Sequence, residues 1–188
     1  MMTGIVQRLN AAFAAGFLCV ALAGGAVQAQ SADVETLMER LQAPDLQNWE
    51  AVERRIYDAW SQSGSPAADL LLDRGRDAME AQNYDAAIEH LTALTDHAPD
   101  FAEGWYARAT AYFLADLYGP ALSDLARALT LNPQHFGALS GVGRILSEMG
   151  EPEAALAAFQ AAKAIHPKRP DISEAIESLE RELGGQSL

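Results

Sequence analysis

Asp69, Asp73 and Asp77 stand four residues apart and are followed by Glu80, a spacing that aligns carboxylates along one face of a helix. Carboxylates paired in this way can move protons or bind a cation. Arg74 and Arg76 are interleaved with them, however, and a mixed charge run of this kind reads as a solvated helix face. The four histidines, His90, His97, His135 and His166, form no His-x3-His pair. No ligand cluster is present, so neither a metal nor a cofactor is expected. His97 and His166 come just before Pro99 and Pro167, where a cation suits a helix C-terminus. The hydroxyl residues make no G-x-S-x-G and no partnered Ser-x-x-Lys, and no glycine loop is built to cradle phosphate. Gly141-Val142-Gly143 falls inside a predicted helix and reads as packing. These residues offer no catalytic constellation, so an enzyme is not expected.

The elements that must position these side chains repeat. Residues 68–101, 102–135 and 136–169 align without a gap on a period of 34. Leu71, Trp105 and Leu139 form a large apolar column, and Gly75, Ala109 and Gly143 form a small one four places later. Ala78, Tyr112 and Leu146 follow, then Ala87, Ala121 and Ala155, then Leu91, Leu125 and Phe159. Leu94, Ala128 and Ala162 come next, and Pro99, Pro133 and Pro167 end the units. Each unit carries two stretches of helical periodicity, and Pro120 and Pro152 fall near the start of second helices, where a missing N–H costs little. A glycine within a helix costs about 1 kcal/mol relative to alanine, so Gly75 and Gly143 point to close helix approach.

These columns resemble the tetratricopeptide repeat pattern, W-x2-L-G-x2-Y, then A-x3-F, then P. Trp105 to Pro133 is the closest match. The first unit departs with Leu71, Arg74 and Ala78, and the second with Arg108 and Ala109. The resemblance implies an all-α fold, a right-handed α-solenoid of three repeat helix pairs stacked into one continuous core. It also implies that the first helix of each repeat lines a concave groove that receives a protein or peptide. Carried over, the groove places are Leu72, Arg76 and Met79, then Tyr106, Thr110 and Phe113, then Ser140, Arg144 and Ser147. Tyr106 and Phe113 are each one residue from a core column; the alternative is burial beneath a terminal segment. The Lys and Asn set with which related repeats hold chaperone tails is absent, so that partner is not expected. Arg76 and Arg144 about an aromatic floor would instead suit an acidic or carboxylate group on an apolar segment.

Flanking segments complete the domain plan. Residues 30–66 read as an N-terminal helical hairpin, with stripes Val34, Leu37, Met38, Leu41 and Trp49, Val52, Ile56, Trp60, and with Trp60 expected against the first repeat. Ser65 is the expected N-cap of the next helix and Pro66 its first residue. Residues 170–188 read as a C-terminal capping helix and tail, with a capping box of Asp171 and Glu174, a stripe of Ile172, Ile176, Leu179 and Leu183, and a stop at Gly184-Gly185. Residues 1–29 read as a cleaved signal peptide: Arg8, an uncharged apolar stretch at 11–27, then Val27-Gln28-Ala29. The expected mature chain starts at Gln30, without Cys19 and therefore without disulfides. The net charge of -13, with only two lysines, argues against nucleic acid. The expectation is a periplasmic binding scaffold for a segment of an exported or envelope protein, without a membrane span after cleavage and of undetermined oligomeric state. The rival readings are a self-associating structural protein and an unrecognised envelope hydrolase.

Overall fold

The computed structural model describes residues 33–186, so the expected leader and its cleavage site lie outside the described residues. The described residues are helical: α1 (33–41), α2 (Trp49–Trp60), α3 (Pro66–Glu80), α4 (Tyr84–His97), α5 (Ala102–Leu114), α6 (Tyr118–Leu131), α7 (Phe136–Glu148), α8 (Pro152–Ile165) and α9 (Pro170–Gln186). The pairs α3/α4, α5/α6 and α7/α8 stack as an α-solenoid, α1 and α2 form the hairpin, and α9 closes the far end.

Local chemistry sets the helix ends. Ser65 caps α3 by accepting the Ala68 N–H, with Pro66 at the first position, and Asn83 caps α4 by accepting from Ala86. Each turn within a pair carries one left-handed residue at the same repeat position, namely Gln82, Asp116 and Gly150. Only the third is a glycine, which adopts that conformation without strain.

The small-residue column explains the helix approach. A Cβ on Gly75 would run into Leu91, and one on Gly143 would run into the Phe159 ring. Ala87, Ala121 and Ala155 have no exposed surface at all. Arg108, at a place the repeat pattern gives to an apolar residue, lies across the α5/α6 pair and donates to both Asp124 oxygens at 2.6 and 2.9 Å. It also donates to Thr95 at 2.8 Å and lies over the Trp105 ring. The Asp124 carboxylate holds the Arg108 pKa above its usual value, against the opposing effect of burial.

Two details differ from expectation at the C-terminus. α9 starts at Pro170, which places Asp171 inside the first turn, where it pairs with Arg169 at 2.6 Å instead of forming a capping box. Burial alone would raise the Asp171 pKa, but the Arg169 hydrogen bonds bring it below the usual carboxylate range. α9 also continues through Gly184 and Gly185 to Gln186. Ile172, Ile176 and Leu179 are buried against Ala155, Phe159 and Ala162.

The hairpin does not dock where its sequence suggested. Trp60 stacks on His135 at 4.6 Å and lies 5.3 Å from Phe136, at the junction of the second and third repeats rather than on the first. Phe136 provides the reason: it opens α7 with no exposed surface and completes the cluster of Leu37, Met38, Leu41, Leu46 and Ile56.

Candidate functional site

The first helices of the repeats, α3, α5 and α7, bring their groove residues into two different environments. Near the N-terminal ends of α5 and α7 the floor is polar and covered. Arg76 donates to Glu103 at 2.6 Å and to the Ser61 hydroxyl at 2.9 Å. The other Glu103 oxygen lies 3.1 Å from His135 Nε2, while His135 Nδ1 accepts the Ala138 N–H at 3.1 Å. That acceptor role places the His135 proton on Nε2, donating to Glu103. Glu103 is 2% exposed and is satisfied on both oxygens.

Tyr106 lies 4.3 Å from the His135 ring and meets the Tyr57 hydroxyl beside Gly137. Burial pushes the pKa of both phenols upward, and the neighbouring Glu103 acts in the same direction, so both remain protonated donors. Leu72 is 1% exposed and packs with Ala107 and Ala111, so it belongs to the core rather than to an open groove. Met79 is half-buried against the same cluster. Arg76 is likewise unavailable to a ligand, being engaged by Glu103 and Ser61. Burial beneath the terminal hairpin thus describes Tyr106 but not Phe113.

Further along the groove the surface opens. Tyr106, Thr110, Phe113, Ser140 and Arg144 line a cavity of about 100 Å³ between α5 and α7. Thr110 and Ser140 donate their hydroxyls to the Tyr106 and Phe136 carbonyls, at 3.0 and 2.8 Å. Phe113 stacks on Tyr118 at 5.9 Å, and the exposed Arg144 guanidinium lies 6.0 Å from the Phe113 ring. Ser147 is exposed and donates to the Gly143 carbonyl, outside the cavity lining. Arg169, from the segment before α9, joins the rim. Sequence reasoning missed it because it lies outside the first-helix places; its position two residues after the repeat-ending Pro167 was the available signal. A wider cleft of about 770 Å³ lies between α1, the end of α2 and residues 132–134, with Glu35, Glu39 and Trp60 on its walls. It gathers no cation.

An apolar floor with the Arg144 guanidinium at its edge suits a carboxylate carried on an apolar segment, while Arg169 beside it is already held by Asp171. Family models of the tetratricopeptide repeat match residues 72–122 and 114–179. A TPR repeat-containing protein of Rhizobium etli is 34% identical over 148 residues, covering 79% of this chain and 72% of that protein. The Sgt2 TPR domain of Aspergillus fumigatus superposes with a TM-score of 0.62 at 22% identity, covering 65% of this chain and 83% of that one. The first TPR of Spaghetti (RPAP3), bound to the HSP90 peptide SRMEEVD, gives 0.62 at 24% identity, covering 64% of this chain and 95% of that one.

Proposed function

The chain belongs to the tetratricopeptide repeat family, and we propose that it is an exported scaffold that holds an acidic, partly apolar segment of an envelope protein between α5 and α7. The observation that carries this reading is Arg144. It is exposed on the groove side, leans over Phe113, and has no carboxylate within ion-pair distance among the described residues. In a chain with a net charge of -13, a guanidinium left unpaired beside an aromatic ring is a place for someone else's carboxylate. The peptide seated on the Spaghetti domain supports peptide capture by this fold. Export is supported by Arg8, the apolar stretch at 11–27 and Val27-Gln28-Ala29, and on this reading the chain works in the periplasm, binding rather than catalysing. No described helix is long and apolar enough to cross a membrane. The test is affinity capture from an envelope extract with the chain starting at Gln30, alongside its Arg144→Ala and Phe113→Ala variants. The wild type should retain a protein that both variants release. Equal retention by all three would remove the groove from the account.

A further inference from the structure

We propose that the α1–α2 hairpin is a built-in occupant of the covered half of the concave face, over Glu103 and Tyr106, and a gate on that half, undocking about residues 61–65 to lengthen the open surface beside Arg144; this regulation rests on the groove reading above. In the C-terminal part of α2, Tyr57 places its hydroxyl over Gly137, where any Cβ would collide with it. The corresponding places in the other two repeats hold Asp69 and Glu103, so the third repeat alone leaves this space.

The rest of the docking face is mixed: Tyr57 and Trp60 pack on His135 and Phe136, with polar contacts around them. Ser61 accepts from Arg76 at 2.9 Å, His166 lies 2.7 Å from Glu53, and the Pro44 carbonyl accepts from Lys168 at 2.9 Å. When α2 lifts, water satisfies each of these groups, whereas parting the repeat helices would expose Leu91, Leu94 and their apolar neighbours. One group gains outright. His166 Nδ1 is fully buried with no hydrogen-bond partner, beneath the Trp49 edge, and undocking opens it to water. The cluster of Leu37, Leu41, Leu46 and Ile56 travels with the hairpin, which leaves Phe136 and Ile165 as the array's apolar share. The hinge sequence is Ser-Gln-Ser-Gly-Ser; undocking also opens the bonds that the Ser63 N–H and hydroxyl donate to Asp69, which water can replace, and Gly64 sits at a left-handed φ of 78° with no atom near the place of a side chain.

Hydrogen exchange read by mass spectrometry on the chain starting at Gln30 tests the gate without any partner, so its outcome is separate from that of the Arg144 experiment. In the wild type, α2 amides should exchange at least roughly tenfold faster than those of α5 to α8, as a unit of its own. Tyr57→Ala removes the latch from the hairpin side without adding bulk to the array, and should speed α2 exchange by about another tenfold while leaving α5 to α8 unchanged. Gly137→Ala crowds the latch from the array side, where its Cβ meets the hydroxyls of both Tyr57 and Tyr106, and should speed α2 exchange similarly. Equal protection of α2 and the repeats in the wild type overturns the proposal. So do variants that leave α2 exchange unchanged, or that loosen every helix together.

Discussion

Arg108 donates two hydrogen bonds to Asp124 across the α5/α6 pair, in a layer where packed helices usually offer each other methyl groups. Their side chains are 13% and 6% exposed, so removing one partner strands the other in a largely dry site. Asp124→Ala should therefore cost about 2–4 kcal/mol, while replacing both residues with leucine should cost under about 1 kcal/mol or stabilise the fold. Urea midpoints of the two variants check this. A single substitution no worse than the double would mean that the pair is solvated and idle. His135 shows the same dependence on context. It ends the second repeat in sequence, yet it caps α7 with one ring nitrogen and binds Glu103 with the other. Nothing in its sequence position marks Glu103, 32 residues earlier, as its partner.

At the scale of the helix, the repeat columns made the fold legible, because a period of 34 residues reports which faces must be buried in every unit at once. The alanine column tests that register. Ala121→Leu adds bulk where there is no exposed surface and should cost roughly 1–3 kcal/mol. Ser123→Leu, two residues on and exposed, should cost under about 0.5 kcal/mol. Similar urea midpoints for the two would place the α6 face wrongly. The C-terminal helix was less legible. Pro170 is as good a first residue as Asp171 is a cap, and glycine weakens a helix without always ending it, so α9 runs through Gly184 and Gly185.

For the whole molecule, periodicity reports faces but not long-range docking. It grouped Tyr106 and Phe113 as one floor, and both line the cavity, but the path of α2 covers the Tyr106 hydroxyl end with Tyr57 and leaves Phe113 uncovered. Arg76 and Arg144 likewise held equivalent repeat places, and Glu103 with Ser61 claims just one of them. Residues 1–29 bear on the setting in which the molecule works. N-terminal sequencing of protein made in a Gram-negative host should begin at or near Gln30, and soluble cytoplasmic protein retaining Met1 would refute export. The central claim is that the open half of the groove binds another protein through Arg144. The direct measurement is calorimetric titration of a partner recovered by affinity capture against wild type, Arg144→Ala and Arg74→Ala, the last an exposed arginine outside the groove places. Arg144→Ala should weaken binding roughly tenfold or more with helicity and melting temperature unchanged, and Arg74→Ala should bind like wild type. Equal affinities for all three proteins would contradict the account.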